Sequence, residues 1–399
     1  MSSLYSRDFI VTLIIVLIPL CLALNADSYG QRIMTLSGIY AIAAMGYHLI
    51  FGRLGALSLA QGCFFGLGAY SAGLIGVHFE LSFLTCLLFA VIFTALVALI
   101  IALPVLRLES HYFALATLGI AQVALLIAIN WTEVTGGSNG TYGIPQLDLF
   151  GTKLSSSNHV LIFVWVVLII ILSLTFWIMR APFNYQVTLL RDTPEVAASS
   201  GIDIGRWRLI FFIMSAIFGA TAGALQAYTI GVVSPATLEF QVMVSILAMT
   251  VIGGKNHPAG AVIGAILLTH LPEWFRFLET HYLIAYGVAL LCTIIITPSG
   301  IFGLFDVATS LGIQRHREDF GQTLGYYGIS PGPYLVLPFF GPSSFRDAPG
   351  FYIDVMIEKD ISPIHTELHH EERQVIQATN VIDTRANLLK ATKILDTAA

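Results

Sequence analysis

A chain of 399 residues with 56% hydrophobic and 11% charged side chains, against roughly 25% charged in an average soluble domain, is not an ordinary soluble enzyme. Its 19 Lys and Arg against 24 Asp and Glu leave a net charge of −5, and without a clustered basic surface nucleic acid is not an expected partner. The charge is also uneven. Residues 1–305 carry 11 basic and 12 acidic residues and residues 306–399 the other 8 and 12, so a lipid-embedded body is expected to precede a water-exposed tail.

A bilayer core about 30 Å thick takes roughly 20 apolar residues per helix. Apolar runs at about 9–25, 33–51, 54–76, 82–106, 111–130, 159–179, 208–230, 241–253, 258–275 and 282–297 predict an all-α polytopic membrane protein with eight to ten transmembrane helices and a polar, partly helical C-terminal tail. The first run follows Arg7 and imitates a secretory signal, but no small-x-small cleavage site leads from it into a soluble domain, so it is read as a retained span. Segments 54–76 and 241–253 are short or glycine-rich. Such segments either pack tightly through small residues or break inside the bundle, where protein or water satisfies the backbone. Cys21, Cys63, Cys86 and Cys292 lie in apolar runs without C-x-x-C spacing, which fits buried space-fillers rather than ligands or disulfides.

Placing residues 180–207 in the cytoplasm puts Arg7, Arg53, Arg107, Arg180, Arg191, Arg206, Arg208 and Lys255 inside and leaves Arg32, Lys153 and Arg276 outside, as the positive-inside rule requires. With ten spans both termini, and with them the tail, are cytoplasmic. The outward loop at 131–158 carries Gly136, Gly137, Asn139 and Gly140, then Gly143 and Pro145, turn chemistry for an ordered cap on the external mouth. The inward loop runs Arg191, Asp192, Thr193, Pro194, Glu195, Val196, Ala197, Ala198, Ser199, Ser200, Gly201. Pro194 suits the first turn of a short helix, Glu195 its positive end and Gly201 its stop. A short helix standing off the membrane is a handle for another protein.

Polar groups are costly inside a bilayer, so Ser58, Gln61, Thr117, Gln122, Gln226 and Ser245 are candidates for a translocation path. The alternative for each is a bond to a neighbouring helix, or for Ser58 and Thr117 to carbonyls of their own helix. No Asp or Glu lies well inside a span, Glu273 being near an end, which argues against an ion-coupled secondary transporter. No nucleophile constellation supplies catalytic residues. His365, His369 and His370 with Glu367, Glu371 and Glu372 read as a solvated helix face rather than a metal site. The phosphate loop G-x-x-x-x-G-K-[ST] does not occur, so no bound cofactor is expected and ATP would be used by another chain.

The stretch Glu195-Val-Ala-Ala-Ser-Ser-Gly201 resembles the E-A-A-x-x-x-G coupling loop of permeases in bacterial ATP-binding-cassette importers. Phe51 to Tyr70 looks like the G-x-x-G-x-x-S-L-x-x-x-x-F-F-G-x-G-A-Y stretch of permeases for branched-chain amino acids. Tyr112 to Gly119, Thr135 to Gly140, Ser234-Pro235, Val251 to Gly254 and Pro298 to Leu304 match that family in order. The resemblance covers about residues 10–304 and is closest to LivM-type subunits. It implies a non-enzymatic transport subunit of the bacterial inner membrane, working by alternating access. The implied partners are a second, LivH-like permease, two cytosolic ATPase subunits, a periplasmic substrate-binding protein and membrane lipid. It implies branched-chain amino acids as substrate, while urea and short amides are served by closely similar permeases.

The tail resembles something else. Leu304 to Gly312, Arg315 to Gly325, Gly332 to Pro338 and Gly341 to Asp347 are similar in succession to the C-terminal half of the MlaA (VacJ) lipoprotein family, which removes misplaced phospholipid from the outer membrane. Domains at 1–304 and 305–399 are therefore expected, joined at the Gly/Phe/Leu-rich Ser299–Phe305 by natural fusion or as a chimera. The permease is expected to be the working part. A phospholipid-transport role through the tail is the rival reading.

Overall fold

The computed structural model describes residues 2–274 apart from 80, 109, 150–151, 155, 180–182, 193 and 255–256, together with Gly287, Leu291, residues 300–302 and one pair of two-residue strands in the tail. The chain divides into compact units at Met1–Thr309 and Ser310–Ala399. In the second, β5 (Tyr334–Leu335) pairs antiparallel with β6 (Met356–Ile357), Tyr334 opposite Ile357. The predicted span 282–297 apart from Gly287 and Leu291, and the tail's histidine face and predicted helices, lie outside the described residues.

The first unit begins with α1 (Ser2–Leu24), α2 (Ser28–His48), α3 (Gln61–Phe79), α4 (Phe83–Val105) and α5 (Ser110–Asn130). A loop region follows, made of α6 (Thr132–Thr135), β1 (Thr141–Tyr142), β2 (Asp148–Leu149) and β3 (Thr152–Lys153). Then come α7 (Ser157–Ile178), α8 (Phe183–Asp192), α9 (Pro194–Ser199), α10 (Ile204–Ile230), β4 (Val232–Val233), α11 (Phe240–Gly253) and α12 (Pro258–Trp274). Among the described residues six helices are long and apolar enough to cross a membrane: Ser28–Arg53, Gln61–Phe79, Phe83–Val105, His111–Asn130, Ser157–Ile178 and Ile204–Ile230. The apolar part of α1, Ile15–Leu24, and α11 are shorter.

The largest departure from a simple run of spans is at 49–60. The helix that begins as α2 widens into a π-helical turn at Leu49–Arg53 and ends there. Residues 55–60 are irregular, and helix resumes only at Gln61. Gly55 turns the chain through φ +68°, open to a residue without a β-carbon. Of the two readings of the 54–76 segment both apply, in different halves: its first part is broken and its second packs through small residues. A β-carbon on Gly223 of α10 would collide with the Phe65 carbonyl oxygen of α3, and one on Gly68 with the backbone of Ala220. The two helices thus meet backbone to backbone, where dispersion contacts substitute for the hydrophobic drive that lipid removes.

Around that crossing the core is aromatic. Phe83 lies edge-on to Tyr228 with ring centroids 4.9 Å apart, and Phe64 meets Phe212 edge-on at 5.3 Å. Trp165, fully buried in α7, donates its indole N–H to the Met34 carbonyl of α2 at 3.2 Å. Cys63 and Cys86 are buried free thiols as expected, but Cys21 is exposed. The expectation of burial fails there because Cys21 lies on an outward apolar strip of α1 with Leu17, Ile18 and Leu22. Near the unit's end, Gly300 turns and the backbone N–H groups of Ile301 and Phe302 donate to the carbonyls of Ile252 and Gly253 at 2.8 and 2.9 Å.

Candidate functional site

Three of the six candidate path residues converge on the break between α2 and α3. Ser58 is fully buried in the irregular stretch. Thr117 of α5, also fully buried, donates to its own helix at Ala114 and accepts the Leu59 backbone N–H, both at 2.9 Å. One hydroxyl thus satisfies a backbone donor that the broken helix leaves free, as irregular backbone at membrane depth requires. Gln61 caps the break from the other side. Its amide donates to the carbonyls of Ala43 in α2 at 3.0 Å and Ser215 in α10 at 3.3 Å, and its carbonyl oxygen accepts the Ser215 hydroxyl at 2.6 Å. Three helices are held by one side chain.

The other three stand apart. Gln226 of α10 lies beside the Tyr40 hydroxyl, and its own carbonyl oxygen is buried without a partner. Ser245 bonds its own helix at Gln241, 2.8 Å away. Gln122 is half-buried on α5, five residues and so about 140° around the helix from Thr117.

One end of the bundle carries the predicted coupling loop. It forms two short helices rather than one, α8 and α9, with Pro194 at the first position of α9. Ala197 is fully buried while Ala198, Ser199 and Ser200 are exposed. Gly201 closes the loop at φ +77°, with open space where a β-carbon would stand. Its N–H donates to Ala198 and that of Ile202 to Ala197, each at 3.1 Å, the pattern of a glycine helix stop. Asp203 then caps α10, accepting the Arg206 N–H at 3.1 Å. The side chains of Asp192, Pro194 and Glu195 lie outside the described residues.

Arg191, in the last turn of α8, donates a guanidinium N–H to the Gly52 carbonyl in the π-turn at 2.9 Å. The α8–α9 loop is thereby bonded to the segment that leads into the break. Arg53 of the same turn contacts the Met179 sulfur at 3.2 Å. His257 sits nearby, its ring stacked on Phe302 with centroids 4.5 Å apart and its Nδ1 accepting the Ala259 N–H at 3.2 Å. Burial, and then the charge of Arg53, push this imidazole down to about 4.

The opposite end is separated from the α8–α9 loop by α7, whose 22 residues span about 33 Å. There Gly136, Gly137 and Gly140 adopt φ of +76°, +63° and +78° around an exposed Asn139. Thr135 anchors the cap by donating to the carbonyls of Ala128 at 2.7 Å and Trp131 at 2.8 Å. A β-carbon on Gly140 would strike the Val233 carbonyl oxygen. This close approach lets β1 pair with β4, Thr141 opposite Val233, so the cap is stitched to the end of α10.

Sequence reasoning did not find Ser215, Arg53 or the Gly52 carbonyl. Ser215 is 154 residues from Gln61, and nothing in either local pattern announces the pairing. The chemistry Gln61 needs, a hydroxyl on a facing span, was the one available signal.

Comparison with known proteins places this geometry. Residues 287–399 match the MlaA lipoprotein family, and an uncharacterized Rickettsia prowazekii protein is 42% identical over 89 residues, 22% of this chain and 34% of that one. Residues 30–297 match the permease component family of the branched-chain amino acid transport system. The high-affinity branched-chain amino acid transport system permease protein LivM of Salmonella typhimurium is 28% identical over 323 residues, 75% of this chain and 76% of that one. A probable branched-chain amino acid transport permease protein LivH of Methanocaldococcus jannaschii is 25% identical over 292 residues, 67% of this chain and 90% of that one. No solved structure matches. With the match extending over the broken span, the α8–α9 loop and the loop at 131–158, this multi-pass membrane chain belongs to the branched-chain amino acid transport permease family and continues into a C-terminal segment matching MlaA.

Proposed function

We propose that the chain is the transmembrane subunit of an ATP-binding-cassette importer carrying branched-chain amino acids across the bacterial inner membrane. Its partners are a LivH-like second permease, two separate ATPase chains that use the ATP, and a periplasmic binding protein. The reading takes eight to ten spans, a cytoplasmic α8–α9 loop, an external cap and a cytoplasmic tail. Domains 1–304 and 305–399 follow, with the tail a passenger. The observation that carries it is the bond from Arg191 to Gly52, which joins a short-helix loop to a broken span lined by Ser58, Gln61 and Thr117.

In this mechanism, closure of the ATPase pair displaces α8 and α9. Arg191 passes the displacement to the π-turn, and the chain bends at 55–60, where no helical hydrogen-bond ladder resists it. Substrate must bind the outward and inward states with different free energy for that bending to do work.

The test is radiolabelled leucine and urea uptake in cells expressing the full chain, or a version stopped after Leu304, with candidate binding-protein and ATPase partners. ATP-dependent leucine uptake by both supports the reading. Urea uptake in place of leucine reassigns the substrate, and loss on truncation alone makes the tail a working part. Gly201→Asp adds a check on the loop. With open space at Gly201 and the tolerance of Asp for left-handed backbone, the variant folds and inserts, yet charge at the docking face abolishes uptake. Normal uptake by it refutes the coupling assignment. The MlaA match favours a second reading, a phospholipid-transport component, which predicts that the full-length chain fractionates with the outer membrane.

A further inference from the structure

Hydroxyls in the helices of this bundle follow one habit. Those of Thr35, Ser37, Thr175, Thr221, Thr250 and Thr269 each donate to the carbonyl four residues back on their own helix, at 2.7 to 3.1 Å. A hydroxyl among apolar neighbours is satisfied that way without help from outside its helix. Thr229, near the end of α10, breaks the habit: its Oγ1 is buried and has no partner among the described residues. The Gln226 carbonyl oxygen, one turn earlier, is in the same condition. Residues three apart are neighbours on a helix surface, so two oxygens without donors lie side by side. Thr94 of α4 is another exception, but its helix carries no second such atom among the described residues.

The surroundings set this pair apart from ordinary packing. Gln226 lies beside the Tyr40 hydroxyl of α2, and the Tyr40 ring is stacked on Phe65 of α3 with centroids 5.9 Å apart. The Tyr228 hydroxyl on the same turn also lacks a partner, but it is two residues from Gln226 and so about 200° around the helix, packed where Gly76 has no side chain. Gln226 is eleven residues along α10 from Ser215, roughly 16 Å, on the side of the 131–158 loop, whose β1 pairs with β4 just past the helix end. The pair therefore stands between that loop and the Gln61 clamp. Buried polar atoms are costly without partners, and both of these accept.

We infer, on the importer reading above, that Gln226 and Thr229 seat the N–H donor group of the transported molecule, the α-ammonium of an amino acid. An ammonium radiates three N–H bonds from one atom, so it reaches the amide oxygen and the hydroxyl oxygen together. Neutral acceptors suit an amino acid better than a buried carboxylate does, because a zwitterion carries its own counter-charge and adds no net charge to the bundle. Urea offers neutral N–H donors to the same two oxygens, and charge is what separates the two ligands.

The experiment is equilibrium binding of radiolabelled leucine to the full chain purified with its permease and ATPase partners in lipid nanodiscs. The competitors are 3-methylbutylamine, which lacks the carboxylate, 4-methylpentanoate, which lacks the amine, and urea. Gln226→Leu is expected to weaken leucine and 3-methylbutylamine about tenfold, the size of a lost hydrogen bond to a charged group, and to leave 4-methylpentanoate unchanged. Thr229→Val, close to threonine in shape, gives a several-fold loss in the same pattern and serves as the test where the glutamine variant fails to insert. Gln226→Glu keeps the acceptor and adds a charge, so it tightens 3-methylbutylamine and not urea. Displacement of leucine by urea and not by the amine, lost in Gln226→Leu, supports the seat with a neutral amide as its ligand. Unchanged leucine binding in both variants, or an equal loss for 4-methylpentanoate, overturns the seat, while uptake that persists in cells leaves the importer reading standing. Neither binding nor uptake of leucine or urea by the wild-type assembly overturns both.

Discussion

Gln61 offers the sharpest test of whether a buried polar residue in this bundle carries substrate or holds helices. Gln61→Leu removes three hydrogen bonds, two to the carbonyls of Ala43 and Ser215 and one from the Ser215 hydroxyl. Interhelical side-chain bonds in membrane proteins average about 0.6 kcal/mol, with a maximum near 1.7. The three together come to about 2 kcal/mol, a shift of roughly 30-fold in the unfolding equilibrium. Ser215→Ala removes only one of them and costs about 0.6 to 1.7 kcal/mol. In the double variant that shared bond is counted once, so the coupling energy equals about one bond. The assay is unfolding of the purified chain in mixed micelles, followed by tryptophan fluorescence. Gln61→Leu with wild-type stability, together with a changed substrate affinity in transport, would refute the clamp and return Gln61 to the translocation path. Gln61→Glu sharpens the distinction, because a carboxylate has no N–H to give Ala43 or Ser215 and destabilises even though its shape is conserved.

Arg191→Ala deletes a charged donor to the Gly52 carbonyl, an interaction of about 1.5–3 kcal/mol. Uptake is expected to fall at least tenfold at unchanged membrane abundance, with partial recovery in Arg191→Lys, measured as uptake per inserted chain. His257 makes stability depend on pH. Its folded pKa lies near 4, below the ordinary 6.5, so between those values the unfolded chain takes up a proton that the folded chain refuses. Stability is full above about pH 6.5, declines as pH falls toward 4 and levels off below it. His257→Asn, which keeps an acceptor for the Ala259 N–H, flattens that profile in pH-dependent melting.

Much of the fold is legible in hydropathy because lipid imposes one rule on every span. The runs at 82–106, 111–130 and 159–179 correspond closely to α4, α5 and α7. Where a second rule competes, hydropathy is blind. Leu54 to Ala60 is as apolar as its neighbours, yet it leaves the helix because Gly55 turns it and Thr117, far along the chain, accepts the freed N–H of Leu59. The short helix α9 is readable for the opposite reason. Pro194 and Gly201 act on their own backbone, so their effect is local and carried in the letters themselves. The partners of the α8–α9 loop are not local, and the bond from Arg191 to Gly52 crosses 139 residues.

The docking of Ile301 and Phe302 on the end of α11 bears on how two families come to share one chain. A helix that simply frays at its end offers an appended sequence a loose and moving point of departure. Here the permease unit closes on itself first, with two backbone bonds at Ile252 and Gly253 and a ring stacked on His257. Whatever follows Phe302 leaves from a fixed origin at the end of α11. An extension acquired at that point alters the chain's length without reopening the packing of the bundle, which makes the site permissive to additions of quite unrelated ancestry.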